Sequence, residues 1–343
     1  MLSIRNLACF SDVSSKKSSS GKSISVLDGI RGFAALFVLA DHTGVIASGQ
    51  GGYGVIIFFC LSGFLLTQPF LNGKMWKLQE IASYFSRRLL RLLPMYFAYI
   101  LIAAWYFNFG GNWLFNHSLF IKSDWHLWTI KQELIFYILL PAIMMMVFLF
   151  KANPLIRGGI LLYIAYYAAK NIRHDVFTIS GIQGQVMLHI TPFIIGMAMA
   201  YFSKYLRSIN TSFVTKALPS TLITFALLFM ALTFSAISVG ISKPNLIWEN
   251  TFLLGFIYGG FIVWLVILPT GNLLYRFMNL LPLRAVGIVG YSFYLLHWII
   301  KEEFTGLRDI PILYFAATAI ATYAASCITY SLIEKPFIKL WRK

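Results

Sequence analysis

Ionisable and nucleophilic side chains are scarce in this chain, and the few present fall at spacings that could do chemistry. In LDGIRGFAALFVLADHTG, Arg31 and His42 are eleven residues apart, with Asp28 and Asp41 close by. On a helix that is about three turns and roughly 16 Å of rise, so Arg31 and His42 share one face. An imidazole can accept and return a proton near neutral pH. In WHLWTIKQELIFYILLP, His126, Glu133 and Tyr137 lie seven and four apart on one stripe. Arg88 and Arg91 in YFSRRLLRLLPMYF face the same way, and guanidinium groups bind phosphates bidentately, from a ligand or from lipid head groups. GYSFYLLHW adds His297.

The elements that must position these groups are membrane spans. Of 343 residues, 59% are hydrophobic and only 12% charged, with a mean hydropathy of +0.74. An apolar excess of this size cannot be hidden in one soluble core. The sequence predicts an all-α polytopic membrane protein, since a span needs roughly 20 mainly apolar residues. Ten such stretches lie near 25–45, 53–71, 90–108, 126–149, 156–171, 185–203, 217–239, 248–269, 284–303 and 310–333. Basic residues support that parity: 20 of the 28 fall in the tail, in every second loop and at the C-terminus. Short cytoplasmic loops hold the positive excess, which puts both termini in the cytoplasm. Residues 1–23 read as a flexible cytoplasmic tail, 24–335 as the transmembrane domain and 336–343 as a basic cytoplasmic C-terminus.

Topology accounts for most of the net charge of +16, leaving no basic-aromatic surface that calls for nucleic acid. Cys9, Cys60 and Cys327 are widely spaced and suggest neither a disulfide framework nor a metal site. Within the spans, ionisable groups are expensive and point to function. The alternatives are an Arg31 that snorkels to the inner interface, a His42 near the outer one, and a Glu133 paired with Lys131. For Arg87 a topology anchor is a strong competitor. By depth, His42, Glu133 and His297 are expected at one level, lining a single outward cavity. Arg88 and Arg91 are expected at the cytoplasmic mouth of the third span.

These residues resemble the acyltransferase-3 family of integral membrane O-acyltransferases, which modify bacterial surface polysaccharides and other acceptors. Asp28, Gly29, Arg31, Gly32 and His42 match the family's L-D-G-x-R-G context and its Arg, ten residues, His signature. GYGVIIFFCLSGFLLT resembles its second-helix block and contains Ser62. Arg88 and Arg91 match R-x-x-R, Glu133 falls at the Glu of the fourth-helix block, and GYSFYLLH and the closing Glu334-Lys335-Pro336-Phe337 complete the order. Thr129 stands where Ser is usual, Lys131 in a normally uncharged stretch, and Asp41 where an apolar or aromatic residue is typical.

The resemblance implies transfer of an acyl group, most often acetyl from acetyl-CoA, to a hydroxyl, with no metal. His42 would be the general base, Arg31 would orient the donor or stabilise charge, and Arg88 and Arg91 would hold the donor's phosphates. Glu133 would orient a His or bind the acceptor, and Asp28, His297, Tyr137 and Ser62 would support the site. A covalent acyl intermediate on His42 or Ser62 stands beside direct transfer. Expected partners are acyl-CoA, a lipid-linked or nascent polysaccharide such as O-antigen or exopolysaccharide, and membrane lipids. The expected location is the bacterial cytoplasmic (inner) membrane. The short C-terminus is expected to leave no room for the hydrolase-like domain fused to some relatives. The rival class is a proton-coupled secondary transporter, which uses the same intramembrane Arg, His and Glu but predicts repeat symmetry that the halves do not show.

Overall fold

The computed structural model describes residues 23–71, 77–171, 189–208, 250–267 and 271–340. The seventh expected span, 217–239, lies outside them, as do most of the N-terminal tail and Cys9. The described residues are helical, with no strand among them. In chain order the helices are α1 Ser23–His42, α2 Gly51–Leu71, α3 Leu78–Tyr106, α4 Gly111–Ser118, α5 Trp128–Leu149, α6 Pro154–Asn171 and α7 Ile190–Ser208. They continue with α8 Thr251–Ile267, α9 Leu273–Met278, α10 Leu281–Ile288, α11 Gly290–Glu303, α12 Pro311–Thr329 and, after a π-helical turn Tyr330–Glu334, α13 Lys335–Leu340.

Four of these stretches among the described residues are long and apolar enough to cross a bilayer: Gly51–Leu71, Leu78–Tyr106, Trp125–Leu149 and Pro311–Leu340. Leu281–Ile288 and Gly290–Glu303 together make a fifth, bent by 84°. Large side chains such as Trp105, Ile138, Leu149, Tyr163, Ile312 and Ile320 stand exposed around the outside. An apolar exterior of this kind suits hydrocarbon, because every backbone polar group within a helix is already satisfied. The chain is thus an integral membrane protein, and helical throughout the elements described.

Close backbone contact explains the glycines of the first motif. A Cβ at Gly32 would lie 1.9 Å from the Leu283 carbonyl oxygen, and one at Gly29 1.6 Å from that of Met278. From the other side, a Cβ at Gly287 would lie 1.7 Å from the Asp28 oxygen. Backbones without intervening side chains gain van der Waals contact that a membrane interior otherwise withholds. The clamp fixes Arg31, on α1, against the α10–α11 segment. A second pair, Gly63 on α2 and Gly196 on α7, packs in the same way at the centre of the bundle.

Two expectations need correction. The ninth span is not one rod, because α10 ends at Val289 (φ −94°, ψ 15°) and α11 starts afresh at Gly290. Its apolar sequence is continuous, but the clamp of Gly287 on α1 turns the chain there. The third span starts at Leu78, some way before residue 90, since Glu80 accepts from the Lys77 N–H (3.0 Å) and caps the helix. Arg88 and Arg91 therefore lie well inside a 29-residue helix.

Candidate active site

An open cavity of about 840 Å³, counting its mouth, lies among α1, α2, α3, α5 and α11. Arg31, Arg88 and Arg91 line it from two helices, together with Glu133, Tyr137 and Ser62. Each position follows from a local rule. Arg88 and Arg91 sit three apart on one face of α3, and Glu133 and Tyr137 sit four apart on one face of α5. Tyr137 donates to Glu133 Oε1 (2.6 Å), and Ser62 Oγ lies 3.4 Å from the same oxygen. Arg31 pairs with Asp28 Oδ1 one turn earlier (3.0 Å).

The positive charge of the cavity is only partly matched inside it. Arg31 feels Arg91 as a repulsive neighbour, and Asp28 and Glu133 as attractive ones. Arg88 faces Glu133, lies 5.9 Å from the Tyr84 ring, and has a buried Nε with no hydrogen-bond partner among the described residues. Asp28, Glu133 and Glu334 neighbour the three guanidinium groups, but only Glu133 lines the cavity with them, so their N–H groups can turn there to an anion or a polarised carbonyl. The N-terminus of α11, at Gly290, opens on the same cavity and adds its positive end.

Sequence reasoning missed part of this wall. Tyr291 lines the cavity and donates to the Leu92 carbonyl (2.8 Å), tying α11 to α3. Glu334, buried in the π-helical turn, accepts from Ser292 Oγ and is an attractive neighbour of Arg91. The signal was present, as both residues fall in motif blocks that carried the resemblance, and a carboxylate at the end of an apolar run needs a partner.

His42 and His297 do meet, but not in this cavity. His42 Nδ1 lies 2.8 Å from His297 Nε2, the rings stack with centroids 5.0 Å apart, and His126 lies 5.1 Å from His297 by ring centroid. The single cavity expected for His42, Glu133 and His297 is therefore corrected: Glu133 joins the arginines, and the histidines occupy a separate cluster. The physical reason is a wall of Phe58, Thr129 and Tyr294, all of which line the cavity. The Thr129 and Tyr294 hydroxyls lie 3.2 Å apart, and the Tyr294 ring packs 5.6 Å from that of His297. Lys131 does not pair with Glu133, since its ammonium donates to the Ile121 carbonyl (3.3 Å). Asp41 closes the loop before α2, accepting from the Gly49 and Gly51 N–H groups (2.9 and 3.0 Å).

The contacts of His297 fix the proton arrangement of the pair. Its Nδ1 faces the Tyr294 carbonyl, which can only accept, so Nδ1 carries the proton and Nε2 of the neutral ring accepts. His42 Nδ1 must then be the donor across the 2.8 Å contact. The nitrogen of His42 with an open lone pair is Nε2, which is the arrangement a general base needs.

Residues 24–331 match the family described as an acyltransferase domain, acyltransferase-3. The chain belongs to that family. It is 24% identical over 362 aligned positions to O-acetyltransferase OatA of Staphylococcus aureus, covering 91% of this chain and 57% of the relative. The peptidoglycan O-acetyltransferase OatA of Listeria monocytogenes is 24% identical, covering 93% of this chain and 56% of its own. A putative peptidoglycan O-acetyltransferase, YrhL of Bacillus subtilis, is 34% identical over 121 residues, 32% of this chain. The chain thus spans little more than half the length of the first two. No solved structure matches. Within this acyltransferase-3 chain, the two structural units that stand out are the arginine cavity and the histidine pair beyond its wall.

Proposed function

We propose that this protein is a multi-pass membrane O-acyltransferase that moves an acyl group, acetyl by default, from acyl-CoA to a hydroxyl of a cell-surface glycan. The observation that carries the proposal is the pairing of three arginines in one cavity with an imidazole, across a single wall, whose Nε2 lone pair is open. Membership of the family and the names of the relatives support it.

In this reading Arg88 and Arg91 hold the donor's phosphates in the cavity, and its acyl arm passes the Tyr294 wall to bring the thioester carbonyl beside His42. His42 Nε2 takes the proton of the acceptor hydroxyl as that oxygen attacks the carbonyl carbon. Arg31, fixed by Asp28, orients the donor beside Arg88 and Arg91. The carbon–sulfur bond breaks, and the leaving thiolate takes the proton back from the imidazolium. Glu133, anchored by Tyr137 and Ser62, holds the guanidinium groups in register, and His297 keeps His42 in the required tautomer. The expected count of ten spans with cytoplasmic termini would bring the donor in from the cytoplasm and the acceptor from outside, in the bacterial cytoplasmic membrane.

The test compares surface glycans from cells making wild type, His42→Ala or no protein, with NMR of ester acetyl groups and blots for equal protein level. O-antigen, exopolysaccharide and peptidoglycan are fractionated separately, so the acceptor is read directly. Ester acetyl present with wild type alone supports the proposal. Ester acetyl that persists in His42→Ala removes the base assignment, and none with wild type removes the enzyme reading in favour of proton-coupled transport.

A further inference from the structure

Behind the arginine cavity, the helical run Pro311–Leu340 passes through the π-helical turn Tyr330–Glu334. Such turns are rare, and within α-helices they concentrate at functional positions. Here the turn inverts the usual preference of a membrane span: Leu332 is 71% exposed and Glu334 only 3%. Thr318, Thr322 and Ser326 make the buried stripe of α12 at four-residue spacing. In an unbroken α-helix Glu334, eight residues past Ser326, would stand about 80° off that stripe, and the wider π turn takes up the offset.

The carboxylate turned inward in this way has two sets of neighbours. The hydroxyl and the backbone N–H of Ser292 both donate to it. Ser292 lies in the first turn of α11, whose N–H groups find no partner within the helix because a new helix starts after Val289. Glu334 is also an attractive neighbour of two guanidinium groups, chiefly that of Arg91 and then that of Arg31, which repel one another. It thereby joins the start of α11 to the arginines without lining the cavity itself.

We propose that Glu334 is a positioning residue of the donor site, holding Arg91 with its N–H groups turned toward the donor's phosphates. Without this carboxylate Arg91 would keep Glu133 as an attractive neighbour, and Glu133 lines the cavity. A pair formed there would occupy the N–H groups that an anion needs. Loss of the Glu334 charge is therefore expected to weaken donor binding, the opposite of what removing a negative charge would do by simple attraction. The inference rests on the acyl-transfer reading and names what holds its donor site in register.

The test titrates acetyl-CoA by calorimetry into the purified full chain in detergent, as wild type, Glu334→Gln, Glu334→Asp, Arg91→Ala and the combined Glu334→Gln and Arg91→Ala, with a melting temperature for each. Gln keeps the size and an acceptor oxygen for Ser292 but loses the charge, whereas Asp keeps the charge and loses one methylene. Glu334→Gln is expected to raise Kd about tenfold, and Glu334→Asp to stay within about threefold of wild type. In the Arg91→Ala background, adding Glu334→Gln is expected to change Kd by less than about twofold. The role is overturned if Glu334→Gln binds as wild type does or tighter, if Glu334→Asp falls as far as Glu334→Gln, or if the Gln effect persists undiminished without Arg91. A lower melting temperature in Glu334→Gln with Kd unchanged would assign Glu334 to the fold alone, which also overturns it. Wild type that binds no acetyl-CoA would retire the acyl-CoA reading itself, and this role with it.

Discussion

The arginine cavity and the histidine cluster are built on opposite principles. In the cavity, charged groups from α1, α3 and α5 surround open space, with three guanidinium groups and Glu133 lining it and Asp28 and Glu334 close behind. At the histidine end, neutral rings pack in contact: His42 on His297, His297 by His126, and Trp298 against His42. The first arrangement offers several guanidinium N–H groups to an anion. The second has none, but it orients a single lone pair. The difference teaches that the two regions to which the proposal assigns donor binding and proton transfer are separated by one layer of side chains, Phe58, Thr129 and Tyr294, so substitutions on the two sides should fail in different ways.

The sharpest break comes from His42→Ala, expected to lower ester acetylation by about 10²- to 10⁴-fold while donor affinity holds, since general-base contributions are of that size. Isothermal titration with acetyl-CoA and glycan NMR together check it, and a matching loss of donor binding would erase the division. Next, Arg91→Ala is expected to raise the KM for acetyl-CoA about 10- to 100-fold, as a lost charge-assisted hydrogen bond costs about 1.5–3 kcal/mol. Steady-state kinetics in detergent would show it, and an effect confined to kcat would move Arg91 from holding the donor to chemistry. Gly32→Ala tests the scaffold beneath both regions. A Cβ 1.9 Å from a backbone oxygen forces α1 and α10 apart, at about 1–3 kcal/mol, seen as a lower melting temperature before any specific change in KM. Smallest is Tyr137→Phe, which removes one hydrogen bond to Glu133, worth about 1 kcal/mol or roughly fivefold in donor KM.

Charged groups were the legible part of the site. Arg31, Arg88, Arg91, Glu133, His42 and His297 could be picked out because an ionisable group in an apolar run demands a reason. Their grouping was not legible, because depth along a helix says nothing about which neighbours it has. Glu133 and His42 sit at similar expected depths, yet face different spaces once Tyr294 stands between them. Tyr294 and Tyr291 were unreadable for another cause: an aromatic at helical spacing looks the same whether it fills a core, anchors an interface or lines a site. The bend at Val289 was hidden because VGIVGYSFYLL is apolar on both sides of it, and the contact that turns it is made with α1, more than 250 residues earlier. The early start of α3 was hidden because LQEIASYFSRRL is amphipathic, and a search for unbroken apolar stretches passes over it.

The glycine clamp between α1 and α10 carries a mechanical consequence. With Gly29, Gly32 and Gly287 in backbone contact, the wall of the cavity that bears Arg31 and the wall that begins at Gly290 move as one body. The α3 and α5 walls are joined to α11 by side chains instead of backbone contact, Tyr291 on the Leu92 carbonyl and Thr129 beside Tyr294. Any widening of the cavity for a ligand as bulky as the proposed coenzyme would fall to the α3 and α5 walls. Spin-label distances between α3 and α1 would lengthen on loading, while those between α1 and α10 would stay fixed.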